Sequence, residues 1–363
     1  MSLRELLAGA VVMAPMTKGS NLPYRRLCVE LGARVLESEM VVARRLKQRR
    51  GGEFALIRRA PTEPCFGVQL AGNKPDEMAW AAALVESRGA DFVDVNLGCP
   101  IDHFTRMGLG AALARQPNRV RKVVDAMRAA VRVPIMVKIR LGWTAGARNA
   151  LELARAAVEA GASAITVHGR TREARYRHPA DWDAIAEVAL GVPVPVVGNG
   201  DLLYPHEIRH RLESSGCAAV MVARGALIKP WIFREATTGY WDITPDERVA
   251  IYRRYVELAS EHWGRGAELD AYGRSRLREF LRWHVGFWCR YAPRRADGTW
   301  PSMQQREALA QTRLPLDALL ARTDDRALDY VTDELLTGGD LGRPPTAESG
   351  TAALERDLLV EAG

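Results

Sequence analysis

The stretch most able to do chemistry runs from Asp94 to Ala112, DVNLGCPIDHFTRMGLGAA. An apolar run over 92–97 ends in Gly98-Cys99-Pro100, and proline has no N–H to extend a sheet ladder, so the chain must leave its strand with Cys99 just beyond the tip. A connection of about twenty residues then precedes the next helical pattern near Arg119, and loops of that length inside compact domains usually carry function. A thiol there could act as an acid or a nucleophile; its bland alternative is a small buried hydrophobe.

Other reactive side chains sit at comparable places. In Ile135-Met136-Val137-Lys138-Ile139-Arg140, Lys138 and Arg140 fall on one face in period two, and buried lysine is rare unless it meets an anion or takes part in chemistry. His168 closes a further apolar run, and Gln69 and Asn96 can both donate and accept hydrogen bonds, as recognition of a planar amide-bearing ring requires. Gly198-Asn199-Gly200-Asp201 and Arg224-Gly225 offer backbone N–H groups and a guanidinium of the kind that hold phosphate, although any tight turn favours glycine.

These residues share a position: each lies near the end of a predicted strand. Strands are expected over 11–16, 34–40, 65–70, 92–97, 134–140, 164–167, 194–197 and 218–223. Helical patterns fall near 23–31, 76–88, 119–131, 147–160, 181–189, 204–213 and 229–236, with a poorly marked one after strand two. Near-continuous apolar strands separated by helices indicate a parallel sheet with its outer face covered. Eight such units in about 235 residues match an α/β (β/α)8 TIM barrel, whose sites form at the C-terminal strand ends. A doubly wound sheet is the alternative, but the first strand lacks the GxGxxG turn of its dinucleotide-binding form.

The barrel is expected over 1–240, a helical domain over 241–337 and a flexible, Gly/Pro/Ser-rich tail over 338–363. Thr244-Pro245-Asp246-Glu247 reads as a helix start. The chain has 363 residues, 47% hydrophobic and 26% charged. Its five cysteines are widely spaced, with no CxxC pair, which argues against bound metal and a disulfide framework and suits a reducing, cytoplasmic setting. No apolar run reaches membrane-spanning length. A monomer is expected.

Net charge is +7, and its distribution is uneven. Arg44, Arg45, Lys47, Arg49 and Arg50 form one basic run and Arg170, Arg172, Arg175 and Arg177 a second, while 274–295 holds seven arginines against Glu279 alone. Such runs point to a nucleic-acid partner. Arg274, Arg278 and Arg282, four apart, would make a stripe on one helix for an RNA backbone, opposite a core face of Leu277, Phe280, Leu281, His284, Phe287 and Trp288.

At this point the chain resembles the tRNA-dihydrouridine synthases. The matching pieces are APM (14–16), VQLAG (68–72), DVNLGCP (94–100), GLGAAL (108–113), VKIRLGW (137–143), VHGRTREARY (167–176), PADW (179–182), GNGD (198–201) and ARGAL (223–227). ARGALIKPWIF, YWDITPDER, SEHWG and FWCRYAP make it most similar to the eukaryotic branch that modifies the tRNA variable loop, without that branch's zinc fingers. The resemblance implies an oxidoreductase that uses FMN and NADPH to reduce the C5–C6 double bond of a uridine in tRNA. It implies that Pro15, Met16, Gln69, Lys138, His168, Asn199, Gly200, Arg224 and Gly225 hold FMN, that Asn96 and Arg170 contact the uracil, and that Cys99 is the general acid delivering a proton to C5. A thiol with its ordinary pKa near 8.5 is protonated at neutral pH and suits that role. Arg172, Arg175 and Arg177 would meet the neighbouring phosphates of a base drawn out of its stack. The alternatives are a D-loop uridine as target, an FMN barrel reductase of a small molecule, and an RNA-binding protein without catalysis.

Overall fold

Strands buried on both faces must be apolar outward, toward helices, and can be polar inward only where something satisfies the polarity. The computed structural model, which describes residues 2–264, 268–303 and 314–346, shows that arrangement. Among the described residues there are nine parallel strands: β1 (Val11–Met13), β2 (Val35–Glu37), β3 (Val41–Val42), β4 (Cys65–Ala71), β5 (Phe92–Asn96), β6 (Ile135–Arg140), β7 (Ala164–His168), β8 (Val196–Asn199) and β9 (Ala219–Val222). β1 pairs with both β9 and β2, and β2 with β4, so the sheet closes into an eight-membered barrel.

The expected second strand, 34–40, is in fact two pieces. β2 and β3 both lie against β4, through Val35↔Cys65 and Val41↔Leu70. Between them Ser38 takes over the ladder: its hydroxyl accepts the Gln69 N–H at 3.1 Å and donates to the Glu39 carbonyl at 2.7 Å. The break lets the chain turn outward at the rim, as a bulge does. β1 also stops short of the expected Met16, because Pro15 has no N–H and the Ser20 hydroxyl caps the Ala14 carbonyl and the Met16 N–H. The unmarked helix after strand two resolves into Ala43–Lys47 and Gly51–Leu56.

Register carries the site. Pairing of Gln69 with Asp94, Asn96 with Lys138, Arg140 with His168, and His168 with Asn199 puts these side chains on one face of the closed sheet. That face is the barrel interior, and all of them are buried. Val93, Val95, Val137, Ile139, Ile165 and Val167 alternate with them and meet the surrounding helices.

The helical region contains Pro245–Gly264, Ala271–Trp288, Pro315–Leu320 and Asp325–Thr337. Thr244 and Glu247 cap the first reciprocally, at 3.2 and 2.8 Å. The expected core face of Ala271–Trp288 is buried; Trp288 stacks on Tyr252 at 4.1 Å, and His284 stacks at 4.1 Å on Tyr24, which belongs to the first barrel helix, Leu22–Glu30. The chain then returns over the barrel, where the Tyr204 hydroxyl donates to the Ala292 carbonyl at 2.8 Å and Trp300 packs on the Tyr204 ring. The first part of the expected tail is held in place: Arg253 donates to the Gly339 carbonyl, Arg322 to the Pro345 carbonyl, and Leu341 is buried. Residues 347–363 lie outside the described residues. Among the described residues no helix is long and apolar enough to cross a membrane.

Candidate active site

A cleft open at the mouth, with about 510 Å³ of space including open solvent, lies over the C-terminal ends of β6–β9 and β1. Of the expected cofactor residues, Pro15, Met16, Lys138, His168, Asn199, Gly200, Arg224 and Gly225 all line it. The architecture explains the gathering: strand ends separated by up to two hundred residues in sequence converge on one rim. The strand-end residues Arg140 and Asp201, which the resemblance does not assign to the cofactor, also line it, as do Tyr176 and Met303. Arg140 was signalled by its period-two relation to Lys138. Met303 gives no local signal, since only the return of the 290–303 segment over the barrel brings it there.

The cavity is strongly cationic. Lys138, Arg140, Arg170 and Arg224 line it, and among its lining residues Asp201 is the single carboxylate. Asp201 accepts from Arg170 at 2.5 Å and from Arg224 at 3.0 Å. Burial pulls its pKa upward, but the bond from Arg170 and the charges of Arg170 and Arg224 outweigh this and keep the carboxyl below its ordinary value. His168 is pushed well below its usual pKa by burial and by Arg140, Lys138, Arg170 and Arg224, so it is neutral. Its Nε2 faces Arg170 Nη1 at 3.3 Å and must accept, because arginine can only donate. Burial and Arg140 lower Lys138 to about 8, against the opposing pull of Asp94, Glu37 and Cys99.

Gln69 and Asn96 are buried and face each other inside the barrel. Neither lines the cavity; both belong to a directed amide chain inside the barrel. The Gly98 and Cys99 N–H groups donate to Asn96 Oδ1 at 3.2 and 2.9 Å, Asn96 Nδ2 to Gln69 Oε1 at 2.7 Å, and Gln69 Nε2 to Asp94 Oδ2 at 2.6 Å. The reason is register, which sets the side chains of β4 and β5 opposite each other and lets them satisfy one another in a buried place where unsatisfied amides are costly. Burial raises Asp94 to about 6, with Gln69 and Lys138 opposing. Glu37 beside it is raised well above the carboxylate range by burial and by the Asp94 charge.

The connection after β5 is not structureless. It contains a helical turn, Asp102–Arg106, and a 3-10 turn, Gly110–Arg115, before the helix Pro117–Ala130. Cys99 is fully buried in a small apolar cluster with Met40 and Ala71, flanked by Ile101 and Phe104. Its position is fixed from several sides. Arg140 Nε donates to the Gly98 carbonyl at 2.8 Å, the Ala111 N–H to the Cys99 carbonyl at 3.1 Å, and Arg172 Nε to the Pro100 carbonyl at 3.2 Å. Gly110, at φ +57°, lies so close that a Cβ there would meet the Cys99 carbonyl oxygen at 2.8 Å.

Arg172, expected at the RNA phosphates, has partners within the protein. It forms an ion pair with Asp102 and stacks on Trp143, 4.6 Å from the ring centre, so it holds the C-terminal side of the Cys99 turn. Arg170, expected to meet the uracil, is buried, with its three nitrogen groups directed at Asp201, His168 and the His178 carbonyl. Arg177 donates to the Glu173 carbonyl at 2.5 Å, and Arg175 adopts φ +46° nearby.

The arginine stripe of Ala271–Trp288 is also engaged within the protein. Arg278 Nε reaches Asp333 at 2.8 Å, and Arg282 reaches Asp329 at 2.8 Å and Asp325 at 2.6 Å, all on the helix Asp325–Thr337. Arg274 donates to the Leu269 carbonyl. The acids that pair with Arg278 and Arg282 come from another helix some fifty residues on, whereas Arg274 among the described residues meets only a main-chain carbonyl.

A phosphorylated, anionic group suits the charge of this cavity. Four cations face one carboxylate, and the backbone at the expected phosphate end leaves no room for side chains: a Cβ on Gly225 would meet the Leu202 carbonyl oxygen at 2.0 Å, and one on Gly200 the Ala180 Cβ at 2.4 Å.

Comparisons with known proteins agree with this geometry. Residues 12–298 match the family described as dihydrouridine synthase (Dus). The chain is 41% identical over 288 residues to a rice protein named tRNA-dihydrouridine(47) synthase [NAD(P)(+)]-like, covering 77% of this chain and 41% of that protein. It is 40% identical over 290 residues to a human protein of the same name, covering 79% and 44%. A Coprinopsis cinerea protein named tRNA-dihydrouridine(47) synthase [NAD(P)(+)] is 38% identical over 335 residues, covering 88% and 49%. The chain thus spans less than half the length of these relatives. Among solved structures, a 6-hydroxypseudooxynicotine amine oxidase from Pseudomonas geniculata N1 shares the fold, with a TM-score of 0.50, 12% identity and coverage of 63% of this chain and 47% of that one. With a family match over most of its length and the strand-end residues converging on one mouth, the chain belongs to the dihydrouridine synthase family.

Proposed function

We propose that this protein is a tRNA-dihydrouridine synthase that reduces the C5–C6 double bond of a uridine in tRNA, with FMN as cofactor and NADPH as reductant. The observation that carries the reading is the pairing of a cation-lined cavity with a cysteine turn clamped at the adjoining strand end. The names of its relatives direct the target to the variable-loop uridine at position 47.

FMN, when bound, would supply the hydride chemistry for reduction of the base. Arg224, with the Gly200 and Gly225 backbone, would hold its phosphate. Lys138 would face an electron-rich edge of the ring system, and neutral His168 and Asn199 would complete the cradle. Pro15 and Met16 close the apolar side. Cys99 Sγ carries the proton for C5, where charge develops as the double bond is reduced, and must present it from the face opposite the hydride. The Arg140, Asn96 and Arg172 contacts hold the backbone of the turn, so the thiol is aimed by its main chain. Apolar neighbours exclude water from it.

The test is spectroscopic and chemical. The purified protein should carry a flavin absorbance that NADPH bleaches and that unmodified tRNA restores. Flavin that is reduced by NADPH but never reoxidised by tRNA under anaerobic conditions would refute the assignment of substrate.

A further inference from the structure

Three arginine-rich runs mark the sequence, and two of them are engaged within the protein: Arg170 and Arg172 around the cavity and the Cys99 turn, and Arg278 and Arg282 against Asp325, Asp329 and Asp333. The third, from Arg44 to Arg50, has different surroundings. The helix Ala43–Lys47 starts where β3 ends, beside the C-terminal end of β4, and therefore stands on the rim of the mouth. Arg45 reaches His103 at 3.5 Å and lies 6.0 Å from the Phe104 ring, so this helix abuts the turn that follows Cys99. Arg45 has Glu53 at 3.7 Å and Lys47 has Asp76 at 3.9 Å. Arg44, Arg49 and Arg50 are exposed and form no ion pair among the described residues.

The end of this helix adds an independent observation. The Arg50 N–H donates to the Arg45 carbonyl at 3.1 Å and the Arg49 N–H to the Leu46 carbonyl at 2.9 Å, with Arg49 at φ +58°. This is the Schellman pattern, whose left-handed residue is ordinarily glycine because a Cβ disfavours that conformation. Gly51 and Gly52 follow at once, yet neither occupies the left-handed position. An arginine stands where backbone preference asks for glycine, and its exposed side chain gives the fold no ion pair in return.

Resting on the tRNA reading above, we propose that Arg44, Arg49 and Arg50 form a contact for the phosphodiester backbone of the substrate RNA on the Cys99 side of the mouth. Exposed guanidiniums without acids of their own can take phosphate oxygens bidentately. At Arg278 and Arg282 a phosphate would first have to displace carboxylates. The rim therefore holds the RNA where the base must enter, and Arg278 and Arg282 do not.

The experiment compares the flavin-loaded enzyme with Arg49→Gly and with the combined Arg44→Gln, Arg49→Gly, Arg50→Gln variant, measuring the Kd of an unmodified tRNA transcript over a salt series. Arg49→Gly should keep or raise the thermal midpoint while weakening tRNA binding. The combined variant should raise Kd by about tenfold or more at low salt and lower the slope of log Kd against log salt by about one per arginine removed, with NADPH reduction of the flavin unchanged. Wild-type Kd and slope in the combined variant would overturn the proposal alone, as would a fall in thermal midpoint for Arg49→Gly that accounts for its lost binding. Absence of salt-dependent tRNA binding by the unsubstituted enzyme would overturn the proposal and the tRNA reading together.

Discussion

The arginines of the helix Ala271–Trp288 and those around the barrel mouth carry the same guanidinium, and the structure gives them different work. On the helix, Arg278 and Arg282 bridge to the acids of a neighbouring helix and knit the helical region together. At the mouth, Arg140 and Arg172 grip main-chain carbonyls on either side of Cys99, while Arg44, Arg49 and Arg50 face solvent. Formal charge read along a sequence is thus a poor guide to charge offered to a partner. What decides is whether an adjacent element supplies a carboxylate, and only tertiary structure answers that.

The comparison can be broken most sharply at the cysteine. Cys99→Ala should retain flavin, because the thiol lies outside the cavity wall, and should lower turnover by about 10²–10⁴-fold, the usual worth of a positioned proton donor. Activity close to that of the unsubstituted enzyme would remove Cys99 from the reaction. Arg172→Ala comes next: with the clamp on Pro100 and Asp102 released, kcat should fall by roughly 10–100-fold while the Kd for tRNA stays nearly constant. A large rise in Kd with kcat intact would return Arg172 to the phosphate-binding role expected from sequence.

The third prediction concerns Lys138, whose pKa burial and Arg140 lower to about 8. Below that pH it is a cation; above it the charge is lost, so flavin affinity should weaken as pH rises through about 8. Fold stability should respond in the opposite direction. An unfolded lysine keeps its proton to about 10.4, so between the two values the unfolded chain binds more protons and stability rises with pH. Titrating flavin release and the thermal midpoint together, with Lys138→Met to remove both steps, checks the sign. The smallest effect is expected on the helix. Arg278→Gln with Arg282→Gln should cost about 1 kcal/mol of stability, as partly exposed pairs usually do, and leave the salt dependence of tRNA binding unchanged.

Much of the barrel was legible in the sequence because strands buried on both faces must be written as apolar runs, and Lys138, His168 and Asn199 stood out as polar exceptions at their ends. The split of strand two was not legible, since it turns on one hydroxyl, that of Ser38, replacing a ladder bond. Gln69 and Asn96 were identified as hydrogen-bonding residues, but their partners depend on register, which placed them in each other's reach and away from the cavity wall. The roles of Arg172 and Arg278 depended on Asp102 and Asp333, residues far away in the chain that no local pattern joins to them. Tyr176 lies 4.0 Å from the Arg224 guanidinium at the mouth, and its placement follows from the path of a loop, which has no periodicity to read.

The most direct test of the account is position-by-position mapping of dihydrouridine in unmodified tRNA incubated anaerobically with the purified protein and NADPH, beside Cys99→Ala. The account predicts dihydrouridine at the variable-loop uridine with the unsubstituted protein and almost none with the variant. Absence of dihydrouridine at every position, from a protein shown to bind flavin and accept electrons from NADPH, would contradict it.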